Sequence, residues 1–459
     1  MVRLFHVYYP VRTLVLLACE AIIVYACFAF ATLVRLGADN SYLVLGYENG
    51  WSKILAITII CLLCSYYFDL YAPQLFGSRG ETTFRILLVL GVMSFLLASS
   101  MWLFPSVVIA NGVFLIGLVI LTFALLGWRS CYSWVMQHPM LRERVYVIGA
   151  GDRANHVVQA IRTRADLGME VVGWAGAAGG VDLEREALAG AIRTLNTHLP
   201  VDRVIVAMTD RRGTMPVREL LDLRLTGTKI EDASTLLEQV NGKIEIDDLH
   251  PSAMIFSDGF SVKRGLMFAR RIVSFTVASV ALIICLPLIP ILALMVKLSS
   301  PGPVLFRQER VGFKGATFTV CKFRTMRQDA ELNTGAVWAG KNDPRVTKVG
   351  RLMRKTRLDE IPQLWNVLKG DMGFVGPRPE RPEFVQWLQE KIPYYNLRHI
   401  IRPGLTGWAQ VRYRYGASFE ETRQKIQYDL YYVKHMSVAL DLFIIFETIK
   451  TVLLRRGAQ

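Results

Sequence analysis

Four apolar stretches fill most of the first 130 residues, at about 13–34, 54–71, 85–104 and 106–127. Each is close to the roughly 20 residues that carry a helix across a bilayer, so residues 1–130 are expected to form a four-helix transmembrane bundle. Cations set its orientation. Arg3 and Arg12 precede the first stretch, Arg79 and Arg85 separate the second from the third, and Arg129, Arg142 and Arg144 follow the fourth, whereas 36–50 has no Lys or Arg. By the positive-inside rule both ends of the bundle face the cytoplasm. A hydrophobic fraction of 52% agrees with a membrane protein. The first stretch is too long for a signal peptide and lacks a small-residue cleavage site, so none is expected.

A fifth uncharged run, Ile272 to Val296, is flanked by Arg270 and Arg271 on one side and Lys297 on the other. A simple crossing here would export everything after Lys297. Pro287 and Pro290 also lie mid-run, where proline breaks a helix. A segment at about 270–297 that enters, bends and returns to the same face satisfies both facts. Glu20 is read as a headgroup or inter-helix contact and Asp69 as a wet interfacial residue. Cys61 and Cys64 form a CxxC inside an apolar run without a second pair, so they are expected to pack rather than bind metal.

From Arg144 the rhythm becomes that of a soluble α/β unit, with strand-like RVYVIGAG, EVVGWAG and DRVIVAM separated by helical pieces. Such alternation predicts a small Rossmann-like parallel sheet over 140–240. Gly149, Gly151 and Ala154 make a GxGxxA, and Glu170 follows at about the spacing of a ribose-binding acid. The unit is half a full dinucleotide fold, so a structural or regulatory module is expected alongside the nucleotide-binding alternative. Residues 241–263 read as a linker, and 264–459 as a separate mixed α/β domain.

That last domain holds Arg354 to Glu380, RKTRLDEIPQLWNVLKGDMGFVGPRPE, in which Asp359 and Glu360 lie among Arg354, Lys355, Arg357, Lys369 and Arg378. Adjacent carboxylates bedded in cations suit phosphoryl chemistry: the acids can hold a divalent metal or attack phosphorus, and the cations neutralise a diphosphate. Pro362 is tolerated in a first turn, so a helix starting near Asp359 would put both acids at its positive end. The net charge of +15 fits a phosphorylated substrate or an anionic bilayer. No nucleic-acid module is recognisable, so nucleic acid is not an expected partner. Val349, Leu352 and Met353 are expected in a core, with Arg351, Arg354 and Lys355 on other faces. Asp441 to Arg456 carries an apolar stripe of Leu442, Ile445, Phe446, Ile449 and Val452–Leu453, read as lying on the bilayer or packing beneath the domain.

LDEIPQLWNVLKGDMGFVGPRPE, with KFRTM (Lys322 to Met326) upstream and RPGLTGWAQV (Arg402 to Val411) downstream, resembles the bacterial sugar transferases of the monotopic phosphoglycosyl transferase superfamily. The likeness covers about Arg264 to Gln459 closely, and the whole layout is similar to the large members, which place a membrane bundle and a nucleotide-fold domain in front. It implies an undecaprenyl-phosphate sugar phosphotransferase of the bacterial inner membrane, with its catalytic domain on the cytoplasmic face. The reaction implied moves a sugar-1-phosphate from a UDP-sugar to polyprenyl phosphate, releases UMP and initiates exopolysaccharide or another glycoconjugate. By the same resemblance Asp359 would form a covalent aspartyl-phosphosugar, with Glu360 assisting at the metal or at a proton. Mg²⁺ is the expected cofactor, held by Asp359 and Glu360. The family's re-entrant helix bends at a Ser-Pro pair; Leu286-Pro287 stands there, keeping the proline kink and losing the serine.

Arg378, between Pro377 and Pro379, is expected either to grip phosphate bidentately or to order its loop through a salt bridge. Lys322 and Arg324 belong to the first block and are candidate phosphate contacts. Arg354 and Arg357 are candidates for the lipid phosphate or plain interfacial cations. Arg402 begins the third block, and its Trp408 is either a wall for uridine or sugar or a core residue. Asp371 and Glu380 are candidate supporting or capping groups. The rival readings are a dinucleotide-dependent sugar-modifying enzyme centred on Gly149, which lacks a Tyr-x-x-x-Lys, and a non-catalytic membrane scaffold for polysaccharide assembly. Homo-oligomerisation fits a large member of the family, though no spacing demonstrates it.

Overall fold

The computed structural model describes the chain except 74–78, 108, 177–184, 199–200, 209–213, 248, 250, 257–258, 329, 331–342, 414–417 and 455–459. It divides into two compact units: Met1–Val2 with Tyr9–Leu236, and Arg3–Tyr8 with Leu237–Gln459.

The first unit begins with four apolar helices, Val11–Tyr47, Gly50–Tyr67, Arg79–Leu103 and Val113–Met136. The first runs past its apolar stretch as two helical segments, joined at Gly37, whose φ of 75° and ψ of 173° are not helical. Val24, Phe28, Ile54, Ile57, Ile86, Met93 and Leu121 form one core, which Cys61 and Cys64 join as packing residues. Arg129 follows the fourth apolar stretch, and the helix runs on past it to Met136. Its Nε donates to Glu20 Oε1 at 2.5 Å and its Nη1 to Leu70 O at 3.0 Å, while Tyr71 OH donates to Glu20 Oε2 at 2.7 Å. Glu20 is thus an inter-helix contact, with its charge neutralised inside the helices.

The same unit then builds a four-stranded parallel sheet from Glu143–Ile148, Met169–Ala175, Arg203–Val206 and Lys229–Asp232, with the first strand between the second and third. Val145, Val147, Ile148, Val204 and Ile205 are fully buried. This near-continuous apolar filling is what helices on both faces of a parallel sheet require.

The second unit contains the apolar helices Arg264–Cys285 and Leu288–Ser299, separated by Leu286 and Pro287. An antiparallel hairpin follows, Leu305–Val311 with Thr317–Phe323, in which Phe306 faces Lys322. Helices Lys348–Thr356, Gln363–Lys369, Pro382–Lys391, Phe419–Lys434 and Val438–Leu453 surround a short parallel pair, Gly373–Val375 with Gly404–Thr406. Ala278, Leu292 and Val296 of the two apolar helices share a core with Val320, Phe323, Met353, Leu364 and Val367. Leu352, expected in that core, is 52% exposed, because Met353 takes the inward position on this one short helix.

Cations in the first turns of helix Arg264–Cys285 anchor it. Arg271 donates to the last carbonyls of Gln363–Lys369, to Val367 O at 2.5 Å and Leu368 O at 2.7 Å, where a cation also complements the helix dipole. Arg270 is buried against Asp441 at 2.8 Å. Part of the stretch expected as a linker is docked: Ile244 and Ile246 are buried, and Ile244 N donates to Gln427 O at 3.1 Å.

Candidate active site

Three local devices bring the acidic pair and its cations together. Helix Lys348–Thr356 starts at Thr347, whose hydroxyl accepts from Gly350 N at 2.9 Å. It stops at Arg357, which adopts φ 59° and sends the chain straight into a single 3-10 turn, Leu358–Glu360. Pro362 then precedes helix Gln363–Lys369. The carboxylates therefore sit in a separate turn one step ahead of the α-helix, rather than inside its first turn as the sequence suggested. The KFRTM segment crosses over the first of these helices at Gly350, where a Cβ would lie 2.7 Å from Thr325 C. The close approach lets Arg354 Nε donate to Thr325 Oγ1 at 2.9 Å.

The two acids have opposite environments. Asp359 is 7% exposed, and its Oδ1 is buried without a hydrogen-bond donor among the described residues. Burial, and then the neighbouring Glu360 charge, push its carboxyl up to about 6, although Lys322, Arg354 and Arg357 pull the other way. Burial also pushes Glu360 up, but Arg378 and Arg357 outweigh it and hold that carboxyl well below its ordinary value. Arg378 Nη2 donates to Glu360 Oε1 at 2.6 Å and Arg357 Nη1 to the same oxygen at 3.3 Å. The pair titrates as a unit in which Glu360 carries the firm negative charge and Asp359 is the proton-sensitive member.

Lys322 and Arg354, whose charges act on Asp359, line a cavity of about 310 Å³ together with Arg310, Arg324, Phe306 and Phe384, although neither acid of the pair is among its lining residues. Arg324 is 5% exposed; it donates to Ser300 O at 2.6 Å, yet its Nε and Nη1 are buried without partners among the described residues. Two unspent donors on a buried guanidinium favour an anion there. Burial, reinforced by Arg310 and Arg354, lowers Lys322 to about 8.

Other expected site residues fall elsewhere. Arg402 donates to Gly370 O at 3.0 Å and lies over the Phe313 ring, so it braces a turn. Trp408 takes the core alternative, because it is 1% exposed, stacks on Tyr431 and donates its only N–H to Gly242 O at 2.7 Å. Asp371 accepts from Asn366 Nδ2 at 3.3 Å and pairs with Lys369, also at 3.3 Å. Arg310 was not singled out from the sequence, although a signal existed: Phe306, Gln308 and Arg310 alternate along one strand and all line the cavity.

In the α/β part of the first unit, Gly149 at φ 126° is required, since a Cβ would sit 2.5 Å from Ala207 C. Glu170 does not serve that loop. It starts its strand, opposite Arg144 at the other end of the sheet, and pairs with Arg142 at 3.2 Å. At the glycine end, Arg153 bridges to Asp232 at 3.0 Å.

Among the described residues no three His, Cys, Asp or Glu side chains gather into a metal cluster. A magnesium ion held by one or two carboxylates and substrate phosphates needs no such cluster. The donor-free Oδ1 of Asp359 fits that arrangement better than Glu360, whose Oε1 is shared by two arginines.

The sequence model of the bacterial sugar transferase family matches residues 266–455. An Aeromonas hydrophila UDP-N-acetylgalactosamine-undecaprenyl-phosphate N-acetylgalactosaminephosphotransferase is 44% identical over 226 residues, 48% of this chain and 52% of its own. The alignment thus spans about half the length of that relative. An Escherichia coli UDP-glucose:undecaprenyl-phosphate glucose-1-phosphate transferase is 32% identical over 400 residues, 81% of this chain and 82% of its own. An undecaprenyl-phosphate glucose phosphotransferase of Komagataeibacter xylinus is 33% identical over 342 residues, 72% of this chain and 63% of its own.

Proposed function

The chain belongs to the bacterial sugar transferase family, and from that premise we propose that it moves a sugar-1-phosphate from a UDP-sugar to undecaprenyl phosphate, releasing UMP. The observation that carries this reading is Asp359: a buried carboxylate with an oxygen that has no donor among the described residues, ringed by cations of which Lys322 and Arg354 line a cavity with unspent guanidinium donors.

In the proposed reaction an Asp359 oxygen attacks the sugar-bearing phosphorus. The bond from that phosphorus to the bridging oxygen breaks, and UMP leaves with the bridging oxygen and its electron pair. The acyl phosphate so formed is reactive enough to pass the group on. An oxygen of the lipid phosphate then attacks the same phosphorus and returns Asp359 as a carboxylate. Lys322, Arg324 and Arg354 neutralise the phosphates along the cavity. Glu360, fixed by Arg357 and Arg378, holds the cationic ring in place. Mg²⁺, when bound through Asp359 and the substrate phosphates, would supply further charge neutralisation.

The membrane arrangement follows from the same unit. In helix Arg264–Cys285 the uncharged part after Arg271 is about 14 residues, roughly 21 Å, short of a 30 Å hydrocarbon core. Both arms, up to Val296, join the core that contains Met353 and Leu364. A re-entrant pair of helices bent at Leu286-Pro287 accounts for this and would keep the site on the cytoplasmic face of the inner membrane, and the four apolar helices of the first unit would form a transmembrane bundle. In helix Val438–Leu453 the packed face is Leu440, Asp441, Ile444 and Glu447, while Leu442, Ile449 and Leu453 stay exposed. That exposed stripe supports a helix resting on the bilayer. The domain limits at 130, 140–240, 241–263 and 264–459 and any homo-oligomer belong to this proposal, as does a structural or regulatory role for the α/β module.

The test is UMP release by detergent-solubilised protein with undecaprenyl phosphate, Mg²⁺ and either UDP-glucose or UDP-N-acetylgalactosamine, the two sugars named among the relatives. Release with one of them, lost in Asp359→Asn, supports the reading; equal release by the variant overturns the role of Asp359.

A further inference from the structure

Behind the Pro377–Arg378–Pro379 turn lies an ion pair to which the reaction above assigns no part. Arg398, in the 3-10 segment Tyr395–Ile400, and Asp429, on helix Phe419–Lys434, are 6% and 2% exposed. Arg398 Nη2 donates to Asp429 Oδ2 at 2.8 Å and to the backbone oxygen of Arg378 at 2.7 Å. Arg398 Nη1 donates to Tyr395 Oη at 3.0 Å. A guanidinium carries five N–H protons in a fixed fork, so these bonds form together and fix the plane of the group.

Successive carbonyls of the turn are each held by a different donor. Pro377 O accepts from Gly404 N at 2.9 Å, Arg378 O from Arg398 at 2.7 Å and Pro379 O from Arg310 Nη1 at 3.1 Å. Only the middle one is held by a buried charge pair, and it belongs to the residue whose side chain grips Glu360. Burying two charges carries a desolvation penalty that apolar packing avoids. A role in packing alone gives no reason for this placement.

Resting on the proposed reaction, we infer that Arg398, oriented by Asp429 and Tyr395, is a positioning residue that sets Arg378 against Glu360. Its effect on turnover passes through Arg378, although Arg398 itself touches neither acid among the bonds described.

A double-mutant cycle on kcat/KM for UMP release separates this from a general structural role. In the wild-type background Arg398→Lys is expected to lose about tenfold and Tyr395→Phe, which removes only the phenol oxygen, about threefold. In an Arg378→Ala background both should lose less than twofold. Losses that multiply unchanged on top of Arg378→Ala overturn the inference. If Arg398→Lys does not fold, the Tyr395→Phe arm decides alone. A wild type that releases no UMP from either sugar nucleotide instead refutes the reaction on which the inference rests.

Discussion

Arg378 donates to Glu360 at 2.6 Å from a side chain that is still 35% exposed. One residue earlier, Asp359 is buried and its Oδ1 has no donor among the described residues. Neighbours in sequence thus have separate tasks. Glu360 is spoken for by arginines, and Asp359 keeps an oxygen available for chemistry. The salt-bridge alternative for Arg378 is therefore the one that the structure records.

A covalent role for Asp359 predicts a trapped adduct. Protein incubated with the correct UDP-sugar and Mg²⁺ but no lipid acceptor should gain the mass of one sugar phosphate, and peptide mapping should place it on Asp359. Asp359→Asn should gain nothing, whereas Glu360→Gln should still form the adduct, about 10- to 100-fold more slowly, since it weakens the charge arrangement without removing the nucleophile. A ternary mechanism, with UMP released only when the lipid is present, would leave the wild-type mass unchanged.

The two perturbed groups predict a bell-shaped pH dependence of kcat/KM. Asp359 must be ionised to attack, so activity rises as pH climbs through about 6. Lys322 must be charged to neutralise phosphate, so activity falls as pH passes about 8. Glu360 lies well below its ordinary range and adds no limb between them. In Lys322→Met the alkaline limb should vanish. The acid limb should move upward, since Lys322 favours the Asp359 carboxylate. A flat wild-type profile from pH 5 to 9 would contradict both assignments.

Much of this site was legible as residues, less so as geometry. The spacing of Asp359, Glu360, Pro362 and Arg378 marked the site because those residues lie on adjoining turns whose limits are set by local chemistry. Arg310 joins them from a strand, visible only once the hairpin register puts Phe306 opposite Lys322. Glu170 had the right sequence distance from Gly151 but the wrong end of the sheet, because spacing counts residues and not direction. Arg129 follows the apolar run, but the helix continues past it to Met136, and its partner Glu20 lies 109 residues away. The Arg398–Asp429 pair could not be read in the sequence for the same reason.

The anchor of helix Arg264–Cys285 predicts a stability asymmetry. Arg270 Nε donates to Asp441 Oδ2 at 2.8 Å and Nη2 to Val375 O at 3.1 Å, and Tyr432 OH donates to Asp441 Oδ1 at 2.6 Å. Arg270→Met leaves a buried carboxylate without its cation and should cost about 3–5 kcal/mol. Arg270→Met with Asp441→Leu removes both charges and should recover most of that loss. Apparent melting midpoints in one detergent compare the three proteins; a double variant no better than the single one would mean that the pair is not the anchor.

Trp408 offers the sharpest contrast between a substrate wall and a core residue. Its indole is 1% exposed, Tyr431 stacks on it at 5.8 Å and the Arg412 guanidinium lies 4.4 Å from its ring centre. Its N–H is already spent on Gly242 O at 2.7 Å. Trp408→Phe keeps most of the ring but leaves that carbonyl without its donor, so stability should fall by about 1–3 kcal/mol. KM for the UDP-sugar should stay within about twofold of wild type, since no face of the ring is left for a base or sugar. A base stacked on an aromatic wall contributes about 1–3 kcal/mol, so a wall role would instead raise KM roughly tenfold with the melting midpoint unmoved. Measuring both quantities on one preparation decides which role Trp408 has, because each role predicts a change in the quantity that the other leaves alone.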